Sequence, residues 1–217
     1  VSKNSLSDFI SPIIDFLSSI GINFFGSDPV SAGFGLFNAG GIIFMIIGIG
    51  LSKMLADKYG KRNVFGVFLF ISTLFILVFY VLSPDSINLI FGAQIFHGFF
   101  YGITIPLLWA MIADVADYSE WKNNRRATAI IFSAMMVGLK LGLSIGGALV
   151  ASILGSYGYV PNSIGEQTES AILGTKMLVS IFPSIPFLVA AALLFFYVID
   201  KKMEEKIEKD LLNKRKS

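Results

Sequence analysis

Long apolar runs alternate with short charged or polar segments along this chain. A transmembrane helix needs about 20 consecutive, mostly apolar residues to cross the hydrocarbon of a bilayer, and five runs have that length. They lie at 30–52, 64–82, 88–113, 127–154 and 172–199. An earlier run at 9–25 is shorter and contains Pro12 and Asp15, so it predicts a weak or incomplete segment, either crossing or interfacial. The pattern predicts an all-α, polytopic membrane protein with five clear spans.

Basic residues lie in every second connection between the runs. They are Lys53, Lys58, Lys61 and Arg62, then Lys122, Arg125 and Arg126, and finally the bases of the 201–216 tail. The connections at 83–86 and 156–170 contain no Lys or Arg. Because basic loops stay inside, we expect the charged loops and the C-terminus to be cytoplasmic. This divides the chain into a weak segment at 1–29, five transmembrane helices at 30–199 and a cytoplasmic charged tail at 200–217.

Composition agrees with a membrane class. The 217 residues are 54% hydrophobic and only 15% charged, whereas soluble proteins average about 25% charged residues. The chain contains no Cys, which excludes a disulfide framework and a thiolate metal site. We therefore expect a multi-pass protein of the cell (inner or plasma) membrane. Because the first residue is Val and not Met, we also expect a longer product.

The third run carries a polar stripe. Gln94, His97, Tyr101 and Thr104 follow one another at spacings of three, four and three, which places them on one helical face. Polar side chains are costly against lipid, so the stripe either lines a water-filled cavity or bonds to a neighbouring helix. Pro106 predicts a kink nearby.

The fourth run carries a lysine near its middle, Lys140. A charge at that depth costs about 2.5–3.5 kcal/mol on insertion scales and is by default a functional residue. The structural alternative pairs it with backbone carbonyls, and Asp15 is the only acid within the apolar runs. Gly138, Gly142 and Gly146 form a ridge on the opposite face, where another backbone can approach closely.

Glycines and prolines indicate how two other runs fold. Six glycines between 33 and 50 in the first run predict close packing or a flexible helix. Pro183 and Pro186 in the fifth run predict a broken helix.

The sequence contains no motif that is typical of a soluble enzyme. The single His lies inside a run, and no phosphate loop, GxSxG or metal-ligand cluster is present. An intramembrane enzyme using His97 or Lys140 would lack an acid–base partner. The tail alternates in charge sign, which predicts a solvated helix at the membrane surface and no nucleic-acid partner. We expect a non-enzyme without cofactor or metal site.

Two charged connections carry a family resemblance. The stretch KMLADKYGKRNVF at 53–65 resembles the Asp-x-x-Gly-Lys/Arg-Arg loop of the major facilitator superfamily, through Asp57, Gly60, Lys61 and Arg62. The stretch WAMIADVADYSEWKNNRRAT at 109–128, the Lys140 helix and GYVPN at 158–162 resemble the melibiose-permease-like glycoside–pentoside–hexuronide:cation symporters. The likeness covers about residues 20 to 210.

The resemblance implies a twelve-helix transporter of two six-helix halves that moves a small sugar or glycoside with Na⁺, H⁺ or Li⁺. This chain resembles the C-terminal half, with residues 1–29 as a remnant of helix seven, so its partners would be the bilayer and an N-terminal half. Trp109 would line the sugar cavity and Lys140 would lie near both the cavity and the cation site. With the polar stripe, the candidate cavity residues are Trp109, Lys140, His97, Tyr101 and Thr104.

The same resemblance implies an ionic gate on the cytoplasmic side, which locks the two halves in the outward-facing state. Its candidate residues are Asp57, Lys61, Arg62, Asp114, Asp117, Tyr118, Glu120, Arg125 and Arg126. The alternative is a plain solvated loop, since exposed ion pairs contribute only about 0–1 kcal/mol each.

The sequence departs from the family pattern near the lysine. Met135 and Met136 stand where melibiose-type members carry polar residues, so the galactoside specificity does not carry over. The acids that bind the cation belong to the N-terminal half of the family and are absent here. A membrane scaffold without transport is the alternative function.

Overall fold

The computed structural model describes residues 3–20, 28–161 and 167–216, all helix and connecting turns. The helices are α1 Lys3–Ser19, α2 Pro29–Tyr59, α3 Lys61–Val81, α4 Ile87–Asn123, α5 Thr128–Ser156, α6 Glu169–Val179, α7 Ile181–Leu193 and α8 Lys201–Lys216, with a 3₁₀ turn at Leu194–Phe196. The end of the 9–25 run, the start of the following connection and the last residue of the GYVPN match lie outside the described residues.

The five predicted spans are confirmed. Helices α2, α3, α4 and α5, and the segment Glu169–Phe196, are each long and apolar enough to cross a membrane. Helix α4 has 37 residues and is about 55 Å long at 1.5 Å per residue, against a hydrocarbon thickness of about 30 Å. A charged part of α4 therefore projects beyond the hydrocarbon.

The projecting part corrects one prediction. The sequence predicts a charged cytoplasmic connection between the runs at 88–113 and 127–154, but residues up to Asn123 continue α4. Only 124–127 connect α4 to α5, and Asn124 adopts a left-handed φ of 54° there. The acids of this stretch thus lie on a rigid helix and not on a loop.

Glycine packing joins α2 to α4, as the glycines of the first run predicted. A Cβ at Gly48 would collide with the carbonyl oxygen of Phe99, and a Cβ at Gly98 or Gly102 would collide with backbone carbonyls of α2. The two backbones can approach this closely only because these positions lack side chains.

The buried core lies near one end of the bundle. This end contains the junction of α2 and α3, the end of α4, and α8. We call this the charged end. The core residues are Ala56, Val64, Phe65, Leu69, Ile103, Leu107 and Met111, with Phe187, Ala190 and Ala191 of α7 packed against them. This cluster fixes the position of α3 and α4 relative to each other and therefore the charges at their ends.

The last span is broken, as its prolines predicted. Helix α6 ends at Val179 and α7 begins at Ile181, with Ser180 between them at φ −127° and ψ −74°. Pro183 has no N–H to donate to the carbonyl of Val179, and its ring would clash with that carbonyl in a continuous helix.

Helix α5 stands at the edge of the bundle. None of its residues is buried. An added Cβ at Gly138, Gly142 or Gly146 would meet no atom within 4 Å, so the ridge predicted to receive another backbone is open among the described residues.

Helix α1 packs on the bundle. Ile10 is 2% exposed, and the ring of Phe9 meets that of Phe91 on α4 edge-on with centroids 5.0 Å apart. With 17 residues, α1 is about 25 Å long, shorter than the hydrocarbon thickness.

Helix α8 corrects the prediction of a fully solvated tail. It begins after Asp200, whose Oδ1 accepts from the N–H of Met203 at 2.8 Å. Its apolar stripe is buried: Ile207 and Leu211 pack with Ile199 against the projecting part of α4. The tail is therefore part of the folded charged end.

Candidate functional site

Lys61 joins three helices at the charged end. Its Nζ lies 2.7 and 2.8 Å from the two carboxylate oxygens of Asp114 on α4 and 2.9 Å from a carboxylate oxygen of Glu204 on α8. The side chains of Lys61 and Asp114 are only 24% and 15% exposed. Each ion pair is partly desolvated, which strengthens its electrostatic attraction relative to a surface pair.

A glycine turn places Lys61 at this position. Gly60 separates α2 from α3 with φ of 85°, a conformation that only glycine adopts without strain. The chain reverses within one residue, so Lys61 begins α3 beside the end of α4. This is the structural use of the glycine in the loop motif.

Arg126 forms a second ionic group. Its Nη2 lies 3.0 Å from Asp117, and its Nε lies 3.7 Å from Glu120. Asp114, Asp117 and Glu120 follow at three-residue spacing along α4, and like charges so placed repel. Arg126 and Lys61 offset that repulsion, one at each end of the row.

Both groups line one cleft between α4 and α8. Its volume is about 370 Å³. Its lining residues are Lys61, Asp114, Asp117, Arg126, Ile199, Glu204, Ile207, Glu208, Leu211 and Leu212. The two ionic groups therefore share one cleft, and we call them together the charged network.

Four predicted gate residues lie outside this network. The side chains of Asp57, Arg62 and Arg125 form no ion pair within the described part of the chain. Arg62 instead donates from Nη1 to the carbonyl of Tyr197 at 3.0 Å. The hydroxyl of Tyr118 accepts a hydrogen bond from Lys122 Nζ at 3.2 Å. The acid that Lys61 meets is thus not the Asp of its own loop motif but Asp114.

Tyr197 ties the last span to α4 beneath the network. Its hydroxyl donates to the carbonyl of Met111 at 3.1 Å. Burial, with the negative charges of Asp114 and Glu204 nearby, raises the pKa of Tyr197 above its ordinary value. The phenol therefore stays neutral and keeps its proton as a donor.

The polar stripe of α4 is engaged with neighbouring helices. His97 Nδ1 lies 2.8 Å from Ser72 Oγ on α3, and the rings of Tyr101 and Phe187 stack with centroids 5.8 Å apart. Thr104 is 2% exposed, so in this conformation it does not line an open cavity. These contacts agree with the alternative that the stripe bonds to neighbouring helices. A role of the stripe in substrate binding stays a prediction.

Trp109 and Lys140 remain accessible. Trp109 is 40% exposed on α4, and Lys140 is exposed near the middle of α5. No described acid, Asp15 included, forms an ion pair with Lys140. The structure brings neither residue into the charged network.

Sequence reasoning missed the contribution of α8. Glu204 completes the coordination of Lys61, and Asp210 accepts from the indole N–H of Trp121 at 2.9 Å. A signal existed: Met203, Ile207 and Leu211 recur every four residues, which is typical of a helix with one buried face.

A family comparison agrees with this architecture. The family model described as MFS/sugar transport protein matches residues 16–201. The chain belongs to the MFS/sugar transport family. The resemblance to the major facilitator superfamily and the prediction of an all-α, polytopic membrane fold are therefore confirmed.

Named relatives of this family member come from several bacteria. An uncharacterized 29.9 kDa protein of Pseudescherichia vulneris is 35% identical over 72% of this chain and 57% of its own length. An inner membrane symporter of Escherichia coli is 32% identical over 67% of this chain and 32% of its own. An isoprimeverose transporter of Lactiplantibacillus pentosus is 29% identical over 91% and 41%. The chain spans from about a third to just over half the length of these relatives.

Replacing Leu211 by alanine is expected to release α8 from the charged end of this family member. Leu211 is 5% exposed, and truncating a buried Leu costs about 2–5 kcal/mol. Because most described residues of α8 are exposed, we expect local opening and not global unfolding. Trypsin should cleave after Lys206 or Lys209 at least about tenfold faster, since 1.4 kcal/mol is a factor of ten.

Leu212→Ala is the matched control. Leu212 is 47% exposed, so its truncation should leave the cleavage rate near that of the wild type. Equal cleavage rates in both variants would show that α8 does not depend on the buried stripe.

Proposed function

We propose that this chain is the C-terminal half of a cation-coupled sugar symporter that works by alternating access. It would lie in the plasma membrane with its charged end and C-terminus in the cytoplasm, as the distribution of Lys and Arg supports. Na⁺, H⁺ or Li⁺ would be co-transported, in line with the symporter-like sequence motifs and with a relative named as a symporter.

One observation carries the proposal: Lys140 is exposed on a helix that buries none of its residues. A cation facing lipid at mid-membrane costs about 2.5–3.5 kcal/mol on insertion scales, so its face needs water or protein. An N-terminal half across a water-filled cavity would supply both. Transporter sites lie near the midplane between two such repeats, which makes α5 one wall of the cavity.

The charged network would act as this half's share of the cytoplasmic gate. The pairs of Lys61 with Asp114 and Glu204 hold α3, α4 and α8 together. The Arg126 pairs are more exposed, with the Arg side chain 49% exposed, so exchange with charges of the opposite half has a small cost. Opening at this end would break such pairs as the halves rock.

Sugar uptake by cells carrying the intact gene tests the function. We expect accumulation of at least one labelled sugar or glycoside above its external concentration, with isoprimeverose in the panel because a relative is named for it. An ionophore that collapses the Na⁺ or H⁺ gradient should abolish the accumulation. No uptake despite normal membrane insertion would favour the scaffold alternative, and uptake insensitive to every ionophore would contradict cation coupling.

The size of the native polypeptide tests the half-transporter assignment separately. An antibody against the α8 segment should detect a band about twice the 23.7 kDa of this chain. A band near 23.7 kDa would require a separate N-terminal partner, whose absence from a purified active complex would overturn the assignment.

A further inference from the structure

Of the two bases of the loop motif, Lys61 and Arg62, only Lys61 pairs with acids of the charged network, and the Arg62 guanidinium lies away from them. Its Nη1 donates to the carbonyl of Tyr197, which is free because the chain leaves the 3₁₀ turn in extended conformation, at φ −76° and ψ 111°. Within the described residues no carboxylate lies within ion-pair distance of Arg62. The guanidinium keeps further N–H donors for a second acceptor.

The guanidinium lies at one end of an apolar groove between α3 and α7. The groove has a volume of about 590 Å³. Its lining residues are Arg62, Asn63, Gly66, Val67, Phe70, Leu188, Ala191, Ala192, Leu194 and Phe195. On α3 they recur at three- and four-residue spacing, so the groove follows one helical face for about two turns.

Polar and apolar groups separate along the groove. Its polar side chains, Arg62 and Asn63, lie together at the start of α3, and the remaining lining is apolar. Val67 is 55% and Phe195 90% exposed. Because α3 and the segment Glu169–Phe196 are both long and apolar enough to cross a membrane, exposed apolar side chains at these positions are suited to contact with lipid.

We propose that this groove binds one anionic phospholipid. An acyl chain would lie along Val67, Phe70 and Leu188. The phosphate would accept hydrogen bonds from the Arg62 guanidinium and from the second N–H of the Asn63 amide, whose Nδ2 already donates to the carbonyl of Tyr59 at 3.3 Å. Arginine matches phosphate geometry with paired N–H donors. The exposed Lys58 and Lys53 lie on the preceding turns of α2, and a basic segment at the membrane surface favours anionic over zwitterionic headgroups.

The bound lipid would have a structural consequence. Arg62 already joins α3 to the chain after the 3₁₀ turn through the Tyr197 carbonyl. A phosphate on its other donors would fix the guanidinium in that orientation, and the acyl chain would fill the space between α3 and α7. The lipid would thereby stabilise the attachment of the last span at the charged end.

Native mass spectrometry of the complete gene product in neutral detergent tests this site. We expect one phosphatidylglycerol to bind at least about tenfold more tightly than phosphatidylcholine, and to raise the melting temperature as any ligand of the native state does. Inorganic phosphate should not compete at millimolar concentration. Competition by phosphate alone would assign the site to a free anion and overturn the lipid.

Two variants should remove the binding by different routes. Ala192→Trp fills the groove from an exposed position, and Arg62→Gln removes the charge while keeping a donor for Tyr197. The control Leu193→Trp adds the same side chain one residue away, at a position that is 59% exposed and outside the groove. We expect at least fivefold weaker phosphatidylglycerol binding in the first two variants and none of that loss in the control.

The control separates a built site from the general lipid shell. Equal loss in Ala192→Trp and Leu193→Trp would mean unspecific lipid contact. Unchanged binding in Ala192→Trp would place the lipid elsewhere, whether or not Arg62→Gln folds. Either result overturns the proposal.

Discussion

Uptake of sugar against its gradient is expected to be lost when Lys140 is replaced by alanine in the complete gene product. The side chain carries the one charge of the predicted fourth span, 127–154, and stands exposed on a helix without buried residues. If cation and sugar binding are coupled through this face, the coupling free energy at stake is about 1–3 kcal/mol, or about 5–150-fold in affinity. We expect the accumulation ratio to fall at least about tenfold.

Membrane insertion of the Lys140→Ala variant should be normal. Removing a charge from mid-membrane lowers the cost of insertion, and no described ion pair depends on Lys140. The measurement is initial rate and steady-state accumulation of labelled sugar, normalised to the transporter present in the membrane fraction.

Lys176→Ala is the matched control. This second intramembrane lysine lies on α6, where its ammonium sits 5.5 Å from the ring centroid of Tyr80, an arrangement that accounts for it as a cation–π contact. Its removal should leave concentrative uptake near the wild-type level. Retained concentrative uptake in Lys140→Ala would count against any role for Lys140 in coupling.

A large loss of global stability is expected from a single methyl group at Gly48. In Gly48→Ala the new Cβ would overlap the carbonyl oxygen of Phe99 and lie 3.1 Å from the backbone nitrogen of Ile103. Backbone atoms cannot rotate away as a side chain does, so α2 and α4 must separate along their glycine contacts. Overpacking costs about 1–3 kcal/mol and occasionally more, and we expect the upper end of that range.

Gly50→Ala supplies the comparison for Gly48→Ala. It adds the same methyl to the same helix, where no atom lies within 4 Å. With about 2–4 °C per kcal/mol for a chain of this size, the melting temperature in detergent should fall by about 6–12 °C in Gly48→Ala and remain unchanged in Gly50→Ala. Equal melting temperatures would mean that the helices tolerate a wider separation.

The proposed gate and the proposed lipid site use neighbouring bases in different ways. Lys61 and Arg62 are adjacent in the loop motif, yet Lys61 pairs with acids of α4 and α8, whereas Arg62 donates to the carbonyl of Tyr197 after the 3₁₀ turn. Adjacent residues on a helix lie about 100° apart around its axis. The paired bases of the motif can therefore join the start of α3 to two different neighbours.

The sequence by itself determined the spans and the family. An apolar run of about 20 residues is typical of a transmembrane helix, so all five spans follow from the distribution of apolar residues along the chain. Spacing alone placed Gln94, His97, Tyr101 and Thr104 on one face and predicted a helix break near Pro183. The loop motif and the charged stretch that follows Trp109 carried the resemblance that the family comparison confirmed.

Only the tertiary structure decided which neighbour each face meets. Lys61 pairs with Asp114 and Glu204, more than 50 and 140 residues away, and not with Asp57 of its own motif. The glycines of α2 and α4 interlock, whereas the glycine ridge of α5 is open. Helical periodicity gives the direction of a side chain around its own axis, but the partner in that direction depends on how all the helices pack, and that packing joins residues far apart in sequence.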